Sequence, residues 1–439
     1  MRDRPALGEG FSARAHRVIP GGAHTYSKGD DILPLNAPRA FVRGKGARVW
    51  DLDGREFVDW GMGINNVLIG HAEDSIDEAA IAALRQGQNF SRPTPLEVET
   101  AGAVLALFDG MEMAKFAKNG SDANDAAIRL ARAVTGRSLI AYDGDAPFLS
   151  IHDWFIGNTV MDAGVPEAVR QLAIAFRYND IETVESTFAN YGPRLAAVIL
   201  EPCRETRPQL GFLERIRALC DAHGALLIFD EMVTGFRYSR HGAQSFLGVR
   251  PDLTTVGKGM ANGYALSALL GKREYLERGG LFHPHPRCFL LSTTNGAERS
   301  ALAAGLATIE FYETHEVIRH LAKTGERVIA GLAESARRRG IQDYLSAASD
   351  FPCRPTLKCL DPDMAPSAEF RSLFIQEMLR AGVFMPWICP SFRHGASEIE
   401  QTLEAFDAAC AVYRRALERG SVAGLLEGRA AKPVFRRFN

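Results

Sequence analysis

Two continuous apolar runs, Leu195-Ala196-Ala197-Val198-Ile199-Leu200 and Ala225-Leu226-Leu227-Ile228-Phe229, bracket a helical pattern from Gly211 to His223. Runs this short, with no polar face, suit strands buried on both sides, as in a parallel sheet covered by helices. Parallel neighbours need a crossover, so strand, helix and strand predict a βαβ unit. Helical spacing also marks Pro95 to Leu107 and Ala123 to Ala133, and Val49 to Asp59 reads as a hairpin turning at Asp53-Gly54. Beyond about Ser300 the texture changes to long helical patterns, Ala301 to Glu313 and His315 to Arg337, and then to shorter mixed segments. A chain of 439 residues is too long for one simple core. The expectation is an α/β protein: a large domain over 56–300 with a mostly parallel sheet, and a smaller α+β domain over 301–439 joined by segment 1–55.

Open α/β sheets hold their ligands at the carboxyl ends of the strands. Asp230 stands at such an end, directly after Phe229. Lys258 follows the β-leaning run Thr254-Thr255-Val256 and lies between Gly257 and Gly259, so no bulky neighbour blocks its ammonium. Singly, each is an ordinary surface residue type. Together they are the two groups that pyridoxal phosphate chemistry needs. The lysine forms a Schiff base with the aldehyde, and the carboxylate keeps the pyridine nitrogen protonated so that the ring acts as an electron sink.

Asp230-Glu231-Met232-Val233-Thr234-Gly235-Phe236-Arg237, followed by Gly257-Lys258-Gly259-Met260-Ala261-Asn262-Gly263, resembles the class III aminotransferases, within them the glutamate-1-semialdehyde aminomutase-like branch. The resemblance runs from Pro20-Gly21-Gly22 to Gln376-Glu377-Met378-Leu379. It implies a fold-type I PLP-dependent transferase with pyridoxal 5'-phosphate as cofactor, Lys258 and Asp230 as the catalytic pair, and a homodimer with shared active sites.

Lys118-Asn119-Gly120-Ser121-Asp122-Ala123-Asn124 offers a glycine for close backbone approach, a hydroxyl at Ser121, and the free amides of a helix beginning near Ala123. That combination suits a phosphate, and it also suits a plain helix cap at Ser121 or Asp122. Its match to the family's phosphate cup favours Gly120 and Ser121 as cofactor contacts. In Leu291-Ser292-Thr293-Thr294-Asn295-Gly296 the resemblance implies a threonine that reaches the phosphate of the neighbouring subunit, and the positions of Gly296 and Glu298 select Thr294 over Thr293. The family's Tyr-His-Gly motif is missing from Tyr142 to Trp154; counting back from His152-Asp153-Trp154 puts Phe148 in the ring-stacking place, with Tyr142 in reserve. Met232 holds the place of a valine that packs on the other ring face.

The substrate region departs from the aminomutases. Their Asn-Ser-Pro-Val-Arg run, whose arginine holds a carboxylate, is replaced here by His24-Thr25-Tyr26-Ser27-Lys28-Gly29-Asp30-Asp31. A lysine is a point charge rather than a planar fork. Tyr26, Lys28 and, less centrally, Arg393 are therefore candidate substrate contacts for a polyhydroxylated or phosphorylated carbonyl, as in relatives linked to sugar or aminocyclitol assembly. The functional expectation is an aminotransferase moving an amino group from an amino acid, such as glutamate, to an aldehyde or ketone. The alternatives are an aminomutase and a catalytically silent relative serving as a scaffold.

Several other readings find no support. His315 and His320 are five residues apart and point to different sides of a helix, so the segment is no zinc-protease motif. The Gly-Lys pairs at 44–45, 257–258 and 271–272 fit no nucleotide-phosphate loop, and no dinucleotide fingerprint follows a strand. A formal net charge of −2 recommends no nucleic-acid partner, and Arg337-Arg338-Arg339 reads as a solvated helix face. Seven cysteines without metal-like spacing suggest free thiols in a reducing compartment. With no apolar stretch behind Met1-Arg2-Asp3-Arg4-Pro5 and none of membrane-spanning length, the expected location is the cytoplasm, away from membranes.

Overall fold

The structure is a computed structural model describing residues 7–438, and the chain divides into two compact units. The first opens with helix α1 (Leu7–Val18) and strands β1 (Phe41–Lys45), β2 (Arg48–Asp51) and β3 (Glu56–Asp59). The β2–β3 hairpin pairs Val49 with Phe57, and its turn places Gly54 at φ 80°, a left-handed conformation that favours glycine.

The second unit carries α2 (Asp74–Arg85), α3 (Pro95–Leu105), β4 (Met113–Ala117), α4 (Gly120–Thr135), β5 (Leu139–Asp143) and β6 (Ala173–Phe176). It continues through α5 (Ile181–Tyr191), β7 (Leu195–Leu200), α6 (Phe212–His223), β8 (Leu226–Asp230), β9 (Leu253–Val256), β10 (Ser267–Gly271) and α7 (Arg299–Thr314). Its seven strands form one sheet in the order β4-β10-β9-β8-β7-β5-β6, in which β10 is antiparallel to both neighbours and the other pairings are parallel. Fold type I is the architecture defined by this sheet and its helices. Both faces are apolar for a simple reason: successive strand residues point to opposite sides. Ile228 packs with Ala127, Leu130 and Ala131 of α4, whereas Leu227 and Phe229 pack with Ile216 and Leu219 of α6.

The first unit resumes with α8 (Val317–Arg338), β11 (Leu345–Ala348), β12 (Thr356–Cys359), α9 (Ala368–Arg380), β13 (Val383–Phe384) and α10 (Ala396–Arg419). Strand β13 adds parallel to β3 and completes a four-stranded sheet, β1-β2-β3-β13. The core gathers Trp60, Leu332, Phe374, Phe406 and Tyr413. The joins between units fall at Glu73/Asp74 and Ile318/Arg319, later than the expected positions near 55 and 300. The cause is α7, which packs on α2, α3 and the Lys258–Ala261 turn and so belongs with the large sheet.

The packing of α8 on the loop after β11 is close enough to test. A Cβ at Gly325 would sit 1.6 Å from the carbonyl oxygen of Pro352, which is backbone and cannot rotate away. Gly325→Ala should therefore lower unfolding stability by about 2 kcal/mol or more, read from the denaturant midpoint.

Candidate active site

The site grows from the carboxyl ends of the central strands. Strand β8 delivers Asp230 between β7 and β9, with the residue only 3 % exposed. Its Oδ1 accepts the N–H of Met232 at 2.9 Å, and its Oδ2 accepts Nδ2 of Asn124 at 2.8 Å. Burial pushes the Asp230 carboxyl up to about 6; the Glu201 charge adds to this, and Asn124, the Met232 amide and Lys258 oppose it. A buried carboxylate in this state gains from a cation placed against it.

Lys258 starts the turn after β9 and is half-buried. Its φ of 46° is left-handed, a costly conformation for a lysine and one that concentrates at functional positions. The sulfur of Met232 packs between two glycines of the site. A Cβ on Gly120 or on Gly257 would lie 2.8 Å from Met232 Sδ, so a side chain at either position would displace the thioether from this place.

Helix α4 supplies the anion end. Its cap is Asn119, two residues ahead of Ser121 and three ahead of Asp122, the caps suggested by the sequence. The Asp122 carboxylate reaches back to the Asn119 N–H at 3.1 Å. Gly120 and Ser121 thereby become the first helical residues, and helix geometry gives their N–H groups no acceptor four residues back. The Ser121 hydroxyl accepts the N–H of Ile151 at 3.1 Å. The loop after β5 is thus fastened twice, since Asn124 also donates to the Leu149 carbonyl at 2.7 Å. Phe148, 44 % exposed, precedes that fastening and packs edge-on to Phe155 at 5.9 Å. Tyr142 is buried in the core beside Trp154 and Phe155.

Thr294 is exposed, its carbonyl accepting from Asn89 at 2.8 Å, and its segment is anchored by the Lys118–Glu298 ion pair at 2.8 Å. Tyr26, Lys28 and Arg393 belong to the first unit. Tyr26 and Lys28 share one 3-10 turn and are both exposed. Arg393 uses Nε and Nη2 in a bidentate pair with Glu73, at 2.8 and 2.7 Å.

Sequence reasoning missed three buried polar groups here. Asn124 was only part of a quoted motif, and Thr255 only part of a strand. Glu231 follows Asp230 and folds the next loop back on itself, accepting the N–H groups of Ala243 and Gln244 at 2.8 Å each and the Thr234 hydroxyl. Asn124 is one of several polar residues of its helix, so nothing in the sequence sets it apart.

These residues fit pyridoxal 5'-phosphate: a buried carboxylate for the ring nitrogen, a lysine close enough to act on that carboxylate, and an open helix start for the phosphate. Fold and site together define a fold-type I pyridoxal-phosphate enzyme. A model of the class-III aminotransferase family matches residues 33–344. The glutamate-1-semialdehyde 2,1-aminomutase of Syntrophobacter fumaroxidans is 34 % identical over 417 residues, covering 89 % of this chain and 94 % of that protein. The FumI protein of Sphingopyxis sp. MTA144, solved with PLP, superposes with a TM-score of 0.84 at 29 % identity, covering 94 % of this chain and 97 % of that one. An omega-transaminase from Sphaerobacter thermophilus gives 0.84 at 27 % identity, covering 94 % and 99 %. The chain belongs to the class-III aminotransferases, which are PLP-dependent enzymes.

The raised Asp230 value gives a signed pH prediction. Without cofactor, the fold gains from protonated Asp230 below its ordinary value of 3.8, and this is lost as pH rises through about 6. With cofactor the ionised form is needed, so affinity should weaken as pH falls through about 6. Equilibrium titration of apoenzyme should show this slope in the native protein and a flatter one in Asp230→Asn. Lys258→Ala should abolish turnover, and mass spectrometry after borohydride reduction should find the pyridoxyl group on Lys258 in the native protein.

Proposed function

We propose that this protein moves an amino group from an amino-acid donor, glutamate being the reference case, to a polyhydroxylated aldehyde or ketone. The observation that carries the acceptor class is the His24–Asp31 segment, in which Lys28 stands where the resembled aminomutases have an arginine. The turn at Tyr26–Lys28 presents a phenol, with Tyr26 58 % exposed, and an ammonium to solvent. Hydroxyl and point-charge partners suit a sugar-like carbonyl better than a lone carboxylate.

When bound, the cofactor supplies an electron sink for the carbanion that forms on the substrate carbon. The chain's residues do the rest. Asp230 keeps the ring nitrogen protonated, and Gly120 and Ser121 hold the phosphate through the start of α4. Phe148 and Met232 flank the ring, and the Lys258 Nζ carries a proton to and from the substrate carbon as general acid and base. Donor and acceptor enter in turn.

The aminomutase is a second reading, favoured by the 34 % identity to the Syntrophobacter fumaroxidans protein. One assay separates them. Incubation with glutamate and a panel of keto-sugars and aldehydes should consume donor and acceptor one for one, with 2-oxoglutarate released. Conversion of glutamate-1-semialdehyde with no second amine or keto acid consumed would assign the aminomutase instead.

The reading includes a symmetric homodimer, placed in the cytoplasm, in which Thr294 completes the phosphate site of the other subunit. Exposed apolar side chains on the same stretch, Leu281, Phe289 and Phe282 (88 % exposed), support a covered surface there. Among the described residues no helix is long and apolar enough to cross a membrane. Mixing Lys258→Ala with Thr294→Ala subunits should restore up to about a quarter of native activity. Random pairing makes half the dimers mixed, each with one intact site. No recovery despite subunit exchange would place Thr294 outside the partner's site.

A further inference from the structure

Asn124 sits inside α4, fully buried, and every polar atom of its amide is engaged. Nδ2 donates to the Leu149 carbonyl at 2.7 Å and to Asp230 Oδ2 at 2.8 Å, while Oδ1 accepts the Thr255 hydroxyl at 2.6 Å. The amide can face only one way. Two of its three neighbours are pure acceptors in the ionised site, so the NH2 must point at both, and a turned amide would set oxygen against oxygen. Asparagine is a poor helix former, and Ala123, Ala126 and Ala127 around it show what the position would hold if packing were its only duty.

Resting on the reading of Asp230 as partner of the ring nitrogen, we propose that Asn124 is a positioning residue for catalysis: it aims the Asp230 carboxylate, keeps it ionised, and ties it to the Phe148 loop and to β9, the strand that leads to Lys258. The charge balance around Asp230 shows why such a group is needed. Burial and the buried Glu201 at the end of β7 favour the protonated acid; Glu231, next in the chain, and Asp143, at the end of β5 beyond β7, are acids that burial likewise pushes toward the protonated form. On the other side stand Lys258, the Met232 amide and Asn124. Of these, Lys258 is the reacting group and its charge changes during turnover, so the fixed donors must hold the ionised state through the cycle. Thr255 locks the amide in the donating orientation.

The experiment uses full-length Asn124→Leu, Asn124→Asp and Thr255→Val, each stripped of cofactor and titrated with pyridoxal 5'-phosphate by protein fluorescence across a pH series. Losing a hydrogen bond to a charged group predicts that the pH at which affinity falls moves up by about one unit in Asn124→Leu. The shift should be larger in Asn124→Asp, where a second carboxyl faces the first, and smaller in Thr255→Val, with kcat reduced and donor KM little changed. A purely structural Asn124 would lower the melting temperature and leave the pH midpoint in place, which overturns the proposal. Should Asn124→Leu fail to fold, an unshifted midpoint in Thr255→Val overturns it equally. Asp230→Asn separates the two levels: an unaltered pH profile there defeats the reading of Asp230 itself, whereas an altered one with Asn124→Leu unshifted defeats only the role of Asn124.

Discussion

A carboxylate buried at the centre of the large sheet is the constraint around which the second unit is arranged. Removing Asp230 from water is unfavourable unless its oxygens are met, and strand geometry gives it only the Met232 amide, two residues on. The second donor must come from outside the sheet, which requires a helix close over the strand ends with a short polar side chain at one defined position. That position is Asn124, and the alanines beside it let α4 approach closely. The apolar runs that make β7 and β8 thus have a functional consequence: they place a charged group where solvent cannot screen it, and where a bound cation is worth most.

The neighbouring strands extend this pattern. Leu200 of β7 pairs with Phe229 of β8, so Glu201 comes level with Asp230, and Tyr142 of β5 pairs with Ile199. Asp143, Glu201 and Asp230 therefore line the carboxyl edge of three adjacent strands, all buried. Burial pushes Asp143 up to about 6, and Arg204, 3.5 Å from its Oδ2, is the nearby cation that opposes this. The start of α4 has the opposite polarity, with unpaired amides and the positive end of the helix dipole. One unit thus offers a negative edge and a positive helix start, matching a ligand with a protonated ring nitrogen and a phosphate.

Most of the fold and the residues proposed for the centre of the site could be read from the sequence, for physical reasons that differ by residue. Continuous apolar runs of five or six residues are too short for a buried helix and suit doubly buried strands, so β7, β8 and the helix between them followed directly. Asp230 and Lys258 could be singled out by chain position alone, at a strand end and in a glycine-flanked turn, and the structure places them close enough for the Lys258 charge to act on the Asp230 carboxyl. Asn124 and Thr255 were not, because a side-chain hydrogen bond between residues 106 or 131 positions apart leaves no local pattern, and Glu231 was not, because its partners Ala243 and Gln244 sit at the far end of an irregular loop. The cap of α4 was misplaced for a related reason. Asn119, Ser121 and Asp122 are all competent caps, and the choice depends on Asp122 reaching back to Asn119. The boundary near residue 300 was misplaced because helical periodicity reports that α7 is buried and says nothing of which core buries it.

Arg393 shows where residue chemistry has to yield to geometry. As a free guanidinium it would be an obvious anion contact, but its fork is taken up by Glu73, and its side chain lies over Gly46 and Gly70, where a Cβ on Gly70 would meet Arg393 Cγ at 2.4 Å. A paired, packed arginine must give up a charge-assisted bidentate contact before it can hold a substrate. Lys28 carries no such debt in charge geometry: it is exposed at the end of its turn, and an ammonium reorients with little loss of hydrogen bonding. Between the two, only the Tyr26–Lys28 turn keeps its polar ends exposed, whereas Arg393 holds the segment after β13 against the residues that follow β3.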